Sequence, residues 1–189
     1  MVTIKDMLNE ILPELVELLR PLLSGVRSVI DIGTGSSVTA HFFAKHFPDI
    51  EFFTVDIADM RQEKELPFIL YNGKSLPFHD KEFTISVLNE TLHHTQDPGS
   101  VLTEAKRVAE AVYVVEHFPL PGIPTDKLRK DEMSTLEDLS LECSYYKPFT
   151  RNSLFDLFDR TNLDVEVKFK MPYHGSREIE KYFFKLVRK

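Results

Sequence analysis

Apolar residues along the chain follow two spacings, one typical of helices and one typical of buried strands. Within residues 1–23 they recur every three or four positions, with mostly acidic residues between them, which predicts an amphipathic helical region. Pro13 removes a backbone donor, so it kinks this region or begins a second helix. A helix lying on a membrane surface would carry Lys and Arg on its polar face. The acidic face therefore favours a helix packed on the edge of a sheet. The apolar positions are Ile4, Met7, Leu8, Ile11, Leu12, Leu15, Leu18, Leu19 and Leu22.

Short β-branched and apolar runs alternate with helical stretches through the middle of the chain. Asp97 is expected to cap one of the helices, with Pro98 at its first position, where the missing proline N–H costs nothing. This alternation is typical of a doubly wound α/β sheet. The predicted strands are 28–32, 50–56, 68–70, 83–89 and 111–116, and the predicted helices are 36–46 and 98–108.

The C-terminal third begins with an irregular stretch. Three prolines and a glycine within residues 117–133 predict a loop there. A helix near 151–160 and strands near 163–171 and 179–187 follow it. Several basic residues at the extreme C-terminus are expected to form a solvated strand edge and tail. They are Lys181, Lys185, Arg188 and Lys189.

The turn after the first predicted strand carries the most informative chemistry. Asp31 stands at the carboxyl end of that strand, where open α/β sheets bind ligands. Gly33 and Gly35 lack a Cβ, so the backbone there can turn sharply and approach a ligand closely. Ser36 or Ser37 can cap the helix that follows. The alternative is a tight strand-to-helix turn that binds no ligand.

A second carboxylate, Asp56, ends the next predicted strand, 21 residues beyond Gly35. An acid at this distance is positioned to accept hydrogen bonds from ribose hydroxyls, and it favours the ligand-binding interpretation of the turn. The third glycine of the dinucleotide fingerprint would fall at Val38. Its bulk argues for a ligand without a diphosphate.

Four ordered motifs carry a more specific resemblance. They are Asp31-Ile32-Gly33-Thr34-Gly35, Asn72-Gly73-Lys74-Ser75-Leu76-Pro77-Phe78-His79-Asp80, Phe83 to Asn89, and Leu92-His93-His94 with Asp97-Pro98. In this order and spacing the chain resembles the class I S-adenosylmethionine-dependent methyltransferases, and most closely the small-molecule branch that includes the quinone-biosynthesis enzymes.

The resemblance covers about residues 26–116 and implies a fold for the whole chain. We expect a Rossmann-like, doubly wound, mostly parallel seven-stranded sheet with an antiparallel C-terminal strand hairpin. Residues 1–189 would form a single domain. Its parts would be the helical region 1–23, the cofactor-binding core 26–116, a lid or substrate segment 117–149, and the C-terminal helix and hairpin 150–189.

The resemblance also implies a cofactor, S-adenosyl-L-methionine, and the residues that hold it. Asp31, Gly33, Thr34 and Gly35 would surround its methionine half, and Asn89 would approach the same half and the transfer site. Asp56 would bind the ribose, with Ile57 beside it.

The turn formed by Gly73, Lys74, Ser75 and Leu76 would lie beside the adenine. Related enzymes often carry an acid at the position of Lys74, and an ammonium group cannot accept a hydrogen bond from the adenine amino group. A backbone carbonyl, Asn72 or Ser75 would replace that contact, or adenine affinity would be reduced.

Methyl transfer is an in-line displacement that gains much of its rate from positioning and needs no covalent protein nucleophile. His93 and His94 are candidates for a general base, because histidine titrates near neutral pH. The alternative role for this pair is packing and hydrogen bonding at the start of a helix. No metal is expected. The substrate candidates near strand ends or in the lid are Glu90, His94, His117, Tyr145 and Tyr146.

The composition of the chain limits the kinds of molecule that it is expected to bind. A net charge of −7 and a pI near 5.5 disfavour nucleic acid, which needs clustered Lys and Arg, so the expected substrate is a small molecule. Cys143 is the single cysteine, so no intrachain disulfide forms, and no uncharged apolar run approaches a membrane span. We expect a cytoplasmic monomer or homodimer.

Two other functions stay open beside a small-molecule methyltransferase. One is a catalytically silent protein that binds S-adenosylmethionine or S-adenosylhomocysteine for regulation or partner binding. Lys74 and the missing Pro-Gly-Gly turn between Val108 and Val112 keep it open. A nicotinamide oxidoreductase is disfavoured by Val38 and by the lack of a recognisable hydride-transfer site.

Overall fold

The computed structural model describes residues 14–126, 128, 129, 145–171 and 178–189. The described residues form one seven-stranded sheet in the order β3-β2-β1-β4-β5-β7-β6. Neighbouring strands from β3 to β5 are parallel, and β7 is antiparallel to both β5 and β6. The strands are β1 Ser28–Ile32, β2 Glu51–Asp56, β3 Phe68–Leu70, β4 Phe83–Asn89, β5 Ala109–Pro119, β6 Leu163–Met171 and β7 Ile179–Arg188. The predicted fold class is confirmed.

Three helices pack on the sheet: α1 Val38–His46, α2 Pro98–Val108 and α3 Arg151–Arg160. Residues 14–19 are also helical and continue into a 3-10 turn, Arg20–Leu23. A second 3-10 turn, Leu92–His94, follows β4. The predicted helical region therefore exists over 14–23, whereas Pro13 and the rest of 1–13 lie outside the described residues.

Each face of the sheet has its own core. On one face α2 and α3 pack Leu102, Leu157 and Phe158 against strand residues. On the other face the helical residues 14–23 and α1 cover Phe52 and Tyr113. The central parallel strands β1 and β4 carry apolar residues on both faces, because helices cover the sheet on either side.

The structure corrects two local predictions. Ser37 occupies the N-cap of α1, but at φ 61° its side chain makes no capping hydrogen bond. β5 extends to Pro119, whereas the sequence predicted its end at 116 and a loop from 117. The extension forms because β7 pairs with β5 as far as Pro119, opposite Ile179. Proline is tolerated at this strand end.

Other predictions agree with the structure. Asp97 caps α2 by accepting a hydrogen bond from the Ser100 amide at 3.1 Å, and Pro98 begins the helix. Residues 127 and 130–144, which hold Cys143 and much of the predicted lid, lie outside the described part of the chain, as do 172–177. Among the helices that are described, none is long and apolar enough to cross a membrane.

Candidate functional site

The loop after β1 is held against β2 by backbone hydrogen bonds. The amides of Gly33 and Thr34 donate to the carbonyl of Val55 at 2.9 and 3.2 Å. Gly33 has φ 76°, and a Cβ built on it would lie 2.3 Å from Cγ2 of Thr91. The Thr91 hydroxyl in turn donates to the carbonyl of Ile32 at 3.2 Å. Glycine is therefore required at 33 by the approach of Thr91, a contact that the sequence did not predict.

Asp56 joins the two loops that follow β1 and β2. It is 6% exposed, and its carboxylate accepts hydrogen bonds from the amides of Gly35 at 2.8 Å and Ile57 at 2.6 Å. A carboxylate has about four acceptor positions. Two stay open after these bonds, so Asp56 can orient the glycine loop and still accept from ligand hydroxyls.

Asp31 is the second carboxylate of this edge. It lies within β1, two residues before Gly33, and is buried. Burial raises the pKa of Asp31 to about 6, and the nearby charge of Asp56 adds to the increase. The Thr34 hydroxyl acts in the opposite direction. A buried acid with this pKa changes charge near neutral pH, and a neighbouring cation would favour its ionised form.

The loops after β2 and β3 present an apolar surface to solvent. Ile57 and Leu70 are each 61% exposed. Gly73 has φ 71°, and a Cβ there would come within 3.2 Å of Ile57. Large apolar side chains this exposed mark candidate ligand contacts at this edge of the sheet.

The turn that carries Lys74 is held from within the protein. Oδ1 of Asn72 accepts hydrogen bonds from the amides of Lys74 and Ser75 at 2.9 and 3.0 Å. Leu76, predicted to contact the cofactor, is 3% exposed; its side chain lies in the core, and its amide donates to Glu104 at 2.8 Å. Leu76 therefore anchors the turn to the hydrophobic core. Oδ1 of Asn72 is already engaged within the turn.

The other half of the edge, after β4 and β5, holds a partly buried ionisable cluster. Nδ1 of His117 lies 2.8 Å from Glu90, and Nζ of Lys181 lies 2.6 Å from the other oxygen of the same carboxylate. Burial raises the pKa of Glu90, but Lys181 and His117 outweigh it and hold the pKa well below its usual value. Glu90 itself adopts φ 53°, a left-handed conformation that non-glycine residues rarely adopt and that recurs at functional sites.

His93 forms a separate pair with Glu116. Nδ1 of His93 lies 2.6 Å from the carboxylate of Glu116, which also accepts from the Leu92 amide at 2.9 Å. Both side chains are enclosed, with His93 1% exposed. In this arrangement His93 is a packed and hydrogen-bonded residue and is not open to a substrate.

Residues 145–147, at the end of the predicted lid segment, contact a histidine cluster formed by His93, His94 and His117. The Lys147 amide donates to the carbonyl of His93 at 2.8 Å. The Tyr146 ring packs against His93 and His94, with its hydroxyl 3.4 Å from Nε2 of His117. Nδ1 of His94 lies 3.4 Å from the Tyr145 carbonyl. The predicted substrate candidates Glu90, His94, His117, Tyr145 and Tyr146 are thus brought together.

Lys181 was missed by the sequence analysis, which expected it in a solvated tail. It stands opposite His117 in the β5–β7 register and pairs with Glu90. Lys185 pairs with Glu166 and Lys189 with Asp159, and Arg188 donates to the carbonyl of Lys106 at 2.7 Å. No periodicity in the sequence could show which strand lies beside β7.

Registers and strand alternation put five polar residues on one face of the sheet at its carboxyl edge. The row follows the strand order β2, β1, β4, β5 and β7. Its residues are Asp56, Asp31, Asn89, His117 and Lys181. Acids stand at the β1–β2 end and bases at the β5–β7 end. Within the described residues, no group of three or more acidic, histidine or cysteine side chains could hold a metal ion.

Comparison with known proteins identifies the core. Residues 30–111 match the family described as a methyltransferase domain. An uncharacterized protein of Escherichia coli strain K12, YafE, is 26% identical over 133 residues, which cover 69% of this chain and 61% of that protein. The uncharacterized protein MJ1123 of Methanocaldococcus jannaschii is 31% identical over 105 residues, covering 53% and 48%. The chain therefore spans only about half to three fifths of the length of these relatives.

Solved structures share the fold. An S-adenosylmethionine-dependent methyltransferase of Methanosarcina mazei has a TM-score of 0.65 at 16% identity, covering 91% of this chain and 98% of that one. Geranyl diphosphate C-methyltransferase of Streptomyces coelicolor A3(2), solved with Mg²⁺, geranyl diphosphate and S-adenosyl-L-homocysteine, has a TM-score of 0.66 at 12% identity, covering 94% and 79%. The [4+2]-cyclase SpnF has a TM-score of 0.67 at 12% identity, covering 93% and 80%.

Proposed function

We propose that this chain, whose residues 30–111 match the methyltransferase domain family, transfers a methyl group from S-adenosyl-L-methionine to a small-molecule acceptor. The observation that carries this proposal is the edge formed by β1 and β2. There a glycine loop, two carboxylates and the exposed side chain of Ile57 lie close together. When bound, the cofactor supplies a sulfonium methyl group that an acceptor atom takes by in-line displacement, leaving S-adenosylhomocysteine.

The residues of this edge fit the parts of the cofactor. Asp31 offers a carboxylate to the ammonium group of the methionine half, beside the loop of Gly33, Thr34 and Gly35. Asp56 keeps acceptor positions for the ribose hydroxyls. Ile57 and Gly73 supply the surface for the adenine ring. Asn89 would meet the methionine half where the row passes toward His117.

The acceptor side would be built by residues 1–23 and 117–149. The described parts of both segments support this assignment, since 14–23 cover one face of the sheet and 145–147 lie over the histidine cluster. Closing such segments over a site excludes water and positions the reacting atoms. A small-molecule acceptor agrees with the acidic charge of the chain. The oligomeric state, monomer or homodimer, and a cytoplasmic location stay predictions.

Titration calorimetry with S-adenosylmethionine, S-adenosylhomocysteine and NAD tests the proposal. We expect both adenosyl ligands to bind competitively and without added metal, and NAD not to bind. Tight NAD binding together with no response to either adenosyl ligand would overturn the methyltransferase assignment.

A second function, silent cofactor binding, is favoured by the enclosure of His93 and by its pairing with Glu116. It predicts the same binding but no consumption of the methyl donor. Mass spectrometry of the donor and product, over a broad panel of small acceptors, separates the two functions. Turnover with any acceptor excludes the silent protein.

Cofactor affinity is expected to fall as the pH drops below about 6. The pKa of Asp31 is raised to about 6 by burial, so its carboxylate is protonated below that value and attracts a cation less. For one linked proton, affinity falls by up to about tenfold per pH unit below the pKa. Calorimetry with S-adenosylhomocysteine between pH 5 and 8 measures this, and two buffers of different ionisation enthalpy reveal the released proton.

Asp31→Asn is the matched variant for this pH prediction. It should bind weakly at every pH and release no proton in this range. A flat affinity profile in the unmodified protein would contradict the placement of Asp31 beside the charged methionine half.

A further inference from the structure

Two charged residues of α2, Glu104 and Arg107, form a bidentate ion pair. Nε of Arg107 donates to one carboxylate oxygen of Glu104 at 2.7 Å, and Nη2 donates to the other at 2.8 Å. The two residues are three positions apart on the helix, so their side chains lie on the same face. That face contacts the loop after β3, which carries the adenine turn, defined here as residues 72–76.

The ion pair also binds the main chain of this loop. The Leu76 amide donates to Glu104 at 2.8 Å, and the Leu76 carbonyl accepts from Arg107 at 3.0 Å. Arg107 further donates to the carbonyl of Phe78 at 2.8 Å and to the carboxylate of Asp80 at 3.0 Å. These three bonds of Arg107, with its two to Glu104, engage all five N–H groups of the guanidinium. A lysine ammonium lacks this planar fork and cannot make the same set of contacts.

The opposite end of the adenine turn is fixed at the end of β2. The Tyr71 amide donates to the carbonyl of Asp56 at 3.0 Å. Burial raises the pKa of Tyr71 to about 12, and the charges of Asp56 and Glu104 add to the increase, so Tyr71 lies near both carboxylates. The turn therefore stands between Asp56, the proposed acceptor for the ribose, and the ion pair on α2.

The adenine turn depends on these two anchors because three of its five residues are exposed. When a loop samples several conformations, a ligand that needs one of them binds more weakly, in proportion to the population of that conformation. An isolated surface ion pair restricts a loop little, but a bidentate pair that also binds the main chain fixes one arrangement. The hydrogen bond to Arg107 lowers the pKa of Glu104, and the Leu76 amide acts in the same direction, so the pair stays ionised near neutral pH.

We propose that Glu104 and Arg107 are positioning residues for the cofactor, because they hold the adenine turn at the distance from Asp56 at which the adenine and the ribose can bind together. The inference rests on the proposed function and adds two residues that act through the turn. The cofactor would meet a turn already in its binding conformation, so that little of the binding free energy is lost in ordering it.

Arg107→Lys tests this role, because it keeps the charge and removes the fork of N–H groups. We expect it to bind S-adenosylhomocysteine about tenfold more weakly in titration calorimetry, as for a turn that holds its binding conformation about a tenth of the time. Hydrogen exchange is the second readout. The amides of residues 72–81 should exchange faster in the free variant, and the ligand should slow them by a larger factor than in the unmodified protein. A loss of global stability would not confine either change to this segment.

Lys106→Met is the matched control on the same helix. Nζ of Lys106 also donates to main-chain carbonyls of another segment, those of Thr161 and Asn162 at 2.9 and 3.1 Å, which follow α3. This variant should lower the free energy of unfolding and speed hydrogen exchange near residues 161 and 162. The affinity for S-adenosylhomocysteine and the exchange of residues 72–81 should stay unchanged.

Glu104→Gln keeps the test decisive if Arg107→Lys fails to fold. The glutamine oxygen can still accept from the Leu76 amide, but the charged, bidentate contact with Arg107 is lost. Affinity for S-adenosylhomocysteine should fall by about threefold, with faster exchange of the same residues 72–81.

The binding of S-adenosylhomocysteine to the unmodified protein separates the two hypotheses. If it binds, and the folded variants at 104 and 107 bind it equally well, the positioning role is wrong and the methyltransferase proposal stands. Faster exchange of residues 72–81 without a loss of affinity has the same meaning, because the turn would then lie outside the cofactor site. If the unmodified protein does not bind the ligand, the proposed function fails and the positioning role fails with it.

Discussion

Replacing Gly33 with alanine is expected to lower the free energy of unfolding by about 2–4 kcal/mol and to abolish measurable cofactor binding. Two costs add. A non-glycine residue at φ 76° is strained, and the new Cβ would lie 2.3 Å from Cγ2 of Thr91. Relieving that clash must move the loop after β1, which carries the amides of Thr34 and Gly35. Denaturant unfolding and calorimetry with S-adenosylhomocysteine give the two readouts.

Gly25→Ala is the matched control for this prediction. Gly25 has φ 78°, nearly the same backbone conformation, but a Cβ there would have no neighbour within 4 Å. It should therefore cost only the strain of about 1–2 kcal/mol and leave cofactor affinity unchanged.

The clash can also be isolated by a double-mutant cycle. Thr91→Ala removes the two atoms nearest to the new Cβ, so combining it with Gly33→Ala should recover part of the lost stability. Equal losses in Gly33→Ala and Gly25→Ala, or strict additivity with Thr91→Ala, would show that close packing against Thr91 is not what requires glycine at 33.

Features that depend on residues close together in the sequence were predicted correctly. The strands at 68–70 and 83–89, and the Asp97 cap, depend on residues near in sequence, and their spacing predicted them correctly. The glycine loop and Asp56 were also predicted, because a parallel sheet brings the ends of successive strands to one edge.

The contacts that were not predicted depend on which distant segments become neighbours in the fold. Lys181 joins Glu90 because β7 inserts between β5 and β6, and no local pattern encodes that order. The longer β5 has the same origin, since its last residues pair with β7. Thr91 against Gly33 is likewise a contact between segments 58 residues apart.

Removal of the Asp56 carboxylate by Asp56→Ala is expected to weaken cofactor binding by about 1–3 kcal/mol, a loss of about five- to 150-fold. The ribose hydroxyls would lose their acceptor. The amides of Gly35 and Ile57 would also lose theirs, so the glycine loop would no longer be fixed in the conformation that meets the methionine half. Calorimetry with S-adenosylhomocysteine measures the loss.

Stability should fall in the same variant, by about 1–2 kcal/mol, because two backbone amides near a buried carboxylate lose their partner. A carboxylate that only faced a cleft would leave stability unchanged, so this second readout tests its position as a bridge between the β1 and β2 loops. Asp56→Asn keeps one acceptor oxygen and should lose less of both quantities. Asp49→Ala, at an exposed acid before β2, is the control and should change neither. Affinity retained in Asp56→Ala would mean that the ribose is not held at the end of β2, and unchanged stability would mean that solvent replaces both hydrogen bonds without cost.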